Sequence, residues 1–249
     1  MLTTFADGRL FGDRTGSEPA DLLALHGWRR DRSDFRVVTA GFDAVALDLP
    51  GFGASPPPDE PSGAAGYAAA LRPVVDSMAE RFTIVAHSFG GRVACHLAIE
   101  HPDRVDGLVL TGVPLLHRVG RGHAKPAWSY RALRWAHRRG FVSDERMEAQ
   151  RRSRGSDDYR NATGVMRDVL VTAVNEEYGG LLPRITQPVE LVWARSDDAA
   201  PLEVAERAAD AFPDAQLTVL DGPAHHDLPI VSADELIQAI TRVRGRAVR

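Results

Sequence analysis

Apolar residues follow two rhythms along this chain of 249 residues. Short, mainly apolar runs have the length of strands: Asp21 to Leu25, Ala44 to Leu47, Ile84 to Ala86, Val105 to Leu110, Val189 to Trp193 and Gln216 to Leu220. Between them lie segments whose apolar positions recur every three or four residues, the period of a helix with one buried face. These are Phe35 to Val38, about Tyr67 to Arg81, the stretch after Ser88, about Leu202 to Phe212 and about Ala233 to Arg244. A strand that is apolar along its whole length is covered on both faces. The alternation therefore predicts a mostly parallel sheet with helices on both sides. At the amino end, Leu2 to Phe5 and Arg9 to Phe11 flank Ala6-Asp7-Gly8, whose Asp-Gly pair signals a hairpin and hence an antiparallel edge. Pro73 is expected to shorten or kink its helix. The last residues, Gly245 to Arg249, are expected to fray.

The alternation stops between Leu115 and Pro183. Only helical patterns occur there: one near Trp128, Trp135 and Ala136 that ends at Gly140, one from about Asp144 to Arg154, and one near Val165, Val169, Leu170 and Ala173. The expected organisation is a core formed by 1–114 and 184–249, interrupted by a helical cap at 115–183.

Composition narrows the function classes. With 44% hydrophobic and 26% charged residues, the chain can bury a sizeable core. Its net charge of -4 gives no general pull toward nucleic acid or anionic membrane, so neither is expected as a partner. The cap stretch runs against this balance, with 13 Lys/Arg against 8 Asp/Glu, a weak hint of attraction for anionic substrates. One cysteine, Cys95, excludes an internal disulfide and a multi-cysteine metal site. Cys95, Trp193 and Phe212 read as core. No basic start followed by an apolar run precedes the first strand, and no stretch has the roughly 20 apolar residues of a membrane span. A cytoplasmic location is expected.

The most informative stretch is Ile84 to Ala98, IVAHSFGGRVACHLA. A β-branched run ends at Ala86, Ser88 follows, and Gly90-Gly91 opens an amphipathic segment. In a strand–turn–helix of this kind the serine occupies a strained apex, and the positions two before and two after it must be small. Ala86 and Gly90 meet that demand. A serine hydroxyl needs an imidazole to take its proton and a carboxylate to hold that imidazole in one tautomer. Loops at the carboxyl ends of parallel strands gather on one edge, where ligand sites form. Ser88 lies in such a loop, as do Asp197 in WARSDDAAP, His225 in LDGPAHHDLP and His26-Gly27-Trp28.

The motifs LLALHGW, LDLPGFGAS, VAHSFGG, LVWARSDDAAP and GPAHHDLP resemble those of the α/β-hydrolase fold superfamily, in its serine esterase, haloperoxidase-like and carbon–carbon hydrolase branch, from Leu22 to Ile240. The resemblance implies an α/β-hydrolase fold with Ser88 as nucleophile, Asp197 as acid and His225 as base. Backbone N–H groups of Trp28 and Phe89 would form the oxyanion hole. Family spacing from acid to proline prefers Asp197 over the adjacent Asp198, and the residues that follow the base prefer His225 over His226. Ala86, Ala194 and Ala224 stand where the family has glycine. Asp48 resembles a loop-shaping aspartate. His26 would order the oxyanion loop and, with His87, Trp128 and Trp135, is a candidate for the substrate pocket.

A serine at the elbow points to carbonyl chemistry, since attack on an alkyl carbon uses a carboxylate there. The expectation is a serine hydrolase that cleaves a small carboxylic ester or thioester through an acyl-enzyme, with no metal and no cofactor. The alternatives are a carbon–carbon bond hydrolase and a non-hydrolytic member of the fold, either a small-molecule binding or signalling protein or a cofactor-free oxygenase.

Overall fold

The structure, a computed structural model, describes residues 2–117, 135, 139, 143, 157–222 and 227–247. Its strands are β1 Leu2–Phe5, β2 Leu10–Thr15, β3 Leu22–Leu25, β4 Ala44–Asp48, β5 Phe82–His87, β6 Val105–Thr111, β7 Val189–Ala194 and β8 Ala215–Leu220. They form one sheet in the order β1-β2-β4-β3-β5-β6-β7-β8. The hairpin β1-β2 joins β4 antiparallel, and every pairing from β4 to β8 is parallel.

The apolar runs are continuous because each strand feeds two cores. Leu23, Leu25, Val45, Leu47, Ile84 and Ala86 point to one face. Their neighbours Leu22, Ala24, Ala44, Ala46 and Val85 point to the other. The first face is covered by α2 Ala64–Ala70, α3 Arg72–Ser77, α4 Phe89–Glu100 and α7 Leu202–Ala211; the second by α1 Arg36–Thr39, α8 Leu228–Val231 and α9 Ala233–Ala247. Between β6 and β7 lie α5 Asp157–Asn161 and α6 Val165–Asn175. Cys95, Trp193 and Phe212 are buried as expected. The helices expected near Trp128 to Gly140 and from Asp144 to Arg154 lie outside the described residues, apart from Trp135 and Arg139.

Two expectations change in detail. The helix over 67–81 is two helices, α2 and α3, with Pro73 in the first turn of α3, where its missing N–H has no intrahelical partner to lose. The carboxyl-terminal helix does not fray after Arg244 but continues to Ala247. Charge anchors it. Arg242 and Arg246 donate to the two oxygens of the buried Glu190 at 2.9 and 2.7 Å, and Arg244 reaches Asp21 at 2.8 Å.

Candidate active site

Ser88 follows β5 and is the N-cap of α4, with φ 49° and ψ -115°. A non-glycine residue in that region stores on the order of 1–3 kcal/mol of strain, a cost met only where neighbouring structure enforces it. The enforcement is visible. The Ser88 amide donates to Thr111 O at 3.0 Å, and the Gly90 amide to His26 O at 3.1 Å. A Cβ on Gly90 would stand 2.4 Å from Leu25 O, and one on Gly27 would stand 2.7 Å from the His87 ring nitrogen and 3.2 Å from Ser88 Cβ. The strand–turn–helix and the loop after β3 therefore pack closely, backbone against backbone at Gly90 and backbone against side chain at Gly27, which is why glycine occupies both positions.

This packing brings the Trp28 and Phe89 segments together at the serine. Phe89 is the first residue of α4, so its N–H has no carbonyl in its own helix. The Trp28 and Phe89 rings meet edge to face at 5.5 Å, and the series extends from Phe89 to Tyr67 at 4.9 Å and from Trp28 to Phe52 at 4.9 Å. Aromatic contacts of this kind fix ring positions and add about 0.5–1.5 kcal/mol each.

His26 stands behind this frame rather than on the cavity wall. It is fully buried; its Nε2 accepts the Leu49 amide at 3.0 Å and its Nδ1 lies 2.7 Å from Gly27 O. Nε2 can accept only if the proton sits on Nδ1, so the ring is neutral and in one tautomer. Desolvation holds its pKa below the ordinary 6.5, against the opposing hydrogen bond to Gly27. Asp48 is equally committed: its carboxylate accepts from the amides of Arg32 at 2.8 Å and Ala54 at 2.7 Å and pairs with the Arg32 guanidinium. Both residues shape loops.

Asp197 lies three residues beyond the end of β7 and is only 3% exposed, whereas the adjacent Asp198 is exposed. Its Oδ1 accepts the amides of Ala199 at 2.9 Å and Ala200 at 2.7 Å. The loops after β7 and β8 run together as far as Gly222, through Arg195 N to Leu220 O at 2.9 Å and Ser196 Oγ to Gly222 O at 3.1 Å. On the other side of residues 223–226, Asp227 lies 3.7 Å from Arg30 in the loop after β3. His225 itself is outside the described residues, as are His226 and Trp128. The segment that contains His225 is thus flanked by one contact to the Asp197 loop and one to the loop that carries Trp28.

A cavity of about 290 Å³ opens over Ser88, walled by Trp28, His87, Phe89, Pro114, Leu170 and Ala199 among others. Ala199 brings the Asp197 loop to the nucleophile's cavity. Trp135 takes no part in this wall; it is 57% exposed, with the Arg139 guanidinium 5.3 Å from its ring. Reading the sequence missed Arg92, four residues after Ser88 on α4, whose side chain also lines the cavity. The available signal was a lone cation among the apolar positions of a helix packed against the sheet. Among the described residues no cluster of three His, Cys, Asp or Glu side chains is arranged to hold a metal ion, and no helix is long and apolar enough to cross a membrane.

Comparison with known proteins agrees with this architecture. A 2-hydroxy-6-oxononadienedioate/2-hydroxy-6-oxononatrienedioate hydrolase from Pseudomonas sp. is 26% identical over 219 residues, spanning 80% of this chain and 76% of the relative. A pimeloyl-[acyl-carrier protein] methyl ester esterase from Aromatoleum aromaticum is 27% identical, spanning 89% and 98%. A thermophilic esterase from Thermogutta terrifontis superposes with a TM-score of 0.69 at 19% identity, covering 99% of both chains. The model of the alpha/beta hydrolase family matches residues 22–239, from β3 to within α9. That match takes in six of the eight strands and the turn at Ser88, and the chain belongs to the alpha/beta hydrolase family of enzymes.

Proposed function

We propose that this enzyme is a serine hydrolase of small carboxylic esters or thioesters, with Ser88 as nucleophile, His225 as base and Asp197 as the orienting acid. The observation that carries the reading is the strained Ser88 at the head of α4, facing a cavity whose wall includes the Asp197 loop. In this scheme Ser88 Oγ attacks the carbonyl carbon and its proton passes to His225. The Trp28 and Phe89 amides receive the developing oxyanion. Collapse expels the alcohol or thiol with the proton from His225. Water, deprotonated by the same imidazole, then attacks the acyl-enzyme, and Ser88 regains its proton as the acid leaves.

Burial of Asp197, with two backbone amides fixing one oxygen, suits a carboxylate that must hold an imidazole in one tautomer. The relatives named for an ester and for a 6-oxo-dienedioate favour carbonyl substrates over alkyl ones. The second of them keeps hydrolysis of a carbon–carbon bond beside a ketone as the alternative reading. We assign the segment 115–183 as a cap over the serine, because Leu170, Ala173 and Val174 of α6 wall the cavity. A cytoplasmic location and a small-molecule substrate complete the proposal.

A panel of p-nitrophenyl esters, acyl-CoA thioesters and vinylogous 1,5-diketones tests it. Turnover of an ester or thioester that disappears in Ser88→Ala is expected. Turnover of the diketone alone selects the alternative, and no turnover of any class contradicts both.

A further inference from the structure

Arg92 is a buried cation whose hydrogen bonds among the described residues all go to backbone carbonyls; the carboxylate that acts on it, Glu176, does so only through space. Arg92 is 8% exposed, and no carboxylate among the described residues lies within ion-pairing distance of it. Backbone carbonyls hold the guanidinium in place: Nε and Nη2 both donate to Pro114 O, at 3.2 and 2.6 Å, and Nη1 donates to Ala173 O. The Tyr178 ring lies 5.4 Å away. A guanidinium has five N–H groups, and these bonds use three. Among the described residues two remain without a partner, on a side chain that is oriented by its other contacts.

Its position makes the surplus meaningful. Arg92 lines the cavity over Ser88 and also a second cavity of about 430 Å³, the two sharing Arg92, Pro114, Val174 and Ala199. On α4 it lies about one turn, roughly 5–6 Å of rise, beyond the serine. On the wall of the first cavity the carboxylate among the described residues, Asp158, is paired with Arg29 at 3.5 Å. Glu176 and Glu177, on the wall of the second, are engaged as well: Glu176 by the Ala64 amide and the Tyr178 hydroxyl, both at 2.8 Å, and Glu177 by His117 at 3.3 Å. A desolvated cation that no carboxylate touches directly is costly, Glu176 acting on it only through space, and an arriving carboxylate offsets that cost with charge-assisted hydrogen bonds.

We propose that Arg92 is a specificity-determining residue that receives the distal carboxylate of a short acyl group bound at Ser88, so that half-esters or half-thioesters of small dicarboxylic acids are the favoured substrates. This rests on Ser88 being the nucleophile, and the test separates the two ideas.

The binding arm uses the full-length Ser88→Ala protein titrated with glutarate. Saturable binding is expected, weakened at least tenfold in Ser88→Ala/Arg92→Gln. No binding, or equal binding by both, overturns the proposal. The kinetic arm compares the p-nitrophenyl monoester of glutarate with p-nitrophenyl pentanoate. The wild type should favour the acid by at least tenfold in kcat/KM, and Arg92→Gln should reduce that ratio at least tenfold; an absent preference or an unchanged ratio overturns it. Should Arg92→Gln fail to fold, the wild-type ratio and its decline with added salt decide, a salt-independent ratio near one being the contrary result. Arg92-dependent glutarate binding in a protein that hydrolyses neither ester would uphold the carboxylate site and reject the serine reading.

Discussion

The Gly90 amide donates to the His26 carbonyl at 3.1 Å, and this bond fastens the helix after the candidate nucleophile to the loop that carries Trp28. A methyl group at Gly90 would stand 2.4 Å from Leu25 O and 2.5 Å from His26 O, both backbone atoms with no rotamer to yield. Gly90→Ala is therefore expected to destabilise the fold by about 1–3 kcal/mol or more, with backbone displacement at the elbow. A lowered urea midpoint together with slowed phosphonate labelling of Ser88 is the expected pair of results.

His26 makes stability depend on pH. Burial keeps its folded-state pKa below the ordinary 6.5, so under acid the unfolded chain binds more protons than the folded one. Its contribution is fully present above about pH 6.5 and is lost as the pH falls toward the lowered folded value. His26→Ala leaves the Leu49 amide without its acceptor and should cost about 1–3 kcal/mol at neutral pH, with a shallower loss of stability below pH 6.5. Denaturant midpoints between pH 5 and 8 measure both effects.

The two adjacent acids should behave differently. Asp197→Asn retains an acceptor for the Ala199 and Ala200 amides but no longer enforces the base's tautomer, and kcat should fall by about 10⁴-fold with little change in thermal midpoint. Asp198→Asn, at an exposed position, should change kcat less than about threefold, within the range of surface substitutions. Comparable losses in both variants would contradict the assignment of the acid.

Arg246 belongs to the helix end that was expected to fray. It pairs with the buried Glu190 at 2.7 Å and with Asp214 at 3.3 Å. Arg246→Ala leaves Glu190 with Arg242 alone and should destabilise by up to about 3 kcal/mol, whereas deleting residues 248–249 should change nothing measurable. Thermal melts of the two variants provide the comparison.

The sheet was legible because its central strands are apolar on both sides. Each of the six parallel strands appeared as a short, mainly apolar run, and the turns after β3, β5 and β7 carried chemistry of their own, at His26, Ser88 and Asp197. Pairing partners of charged groups were not legible. Nothing local announces that Arg246 would meet Glu190 or that Glu176 would accept from Ala64, since these contacts join residues 56 and 112 positions apart. Arg92 escaped notice for the same reason: its place in the cavity wall depends on Pro114 and Ala173, which only the fold brings to it. His26 was read both as ordering the oxyanion loop and as a pocket candidate, and hydrogen bonding commits it to the backbone; Trp135 was a pocket candidate, and exposure sets it apart from the cavity.

The most direct measurement is the rate at which a fluorophosphonate forms a covalent adduct, followed by intact mass with the modified peptide sequenced, for the wild type, Ser88→Ala, His225→Gln and Asp197→Asn. The account predicts one adduct on Ser88, none in Ser88→Ala, and labelling slowed at least a hundredfold in His225→Gln. An adduct elsewhere, or a His225→Gln protein that labels at the wild-type rate, would contradict it.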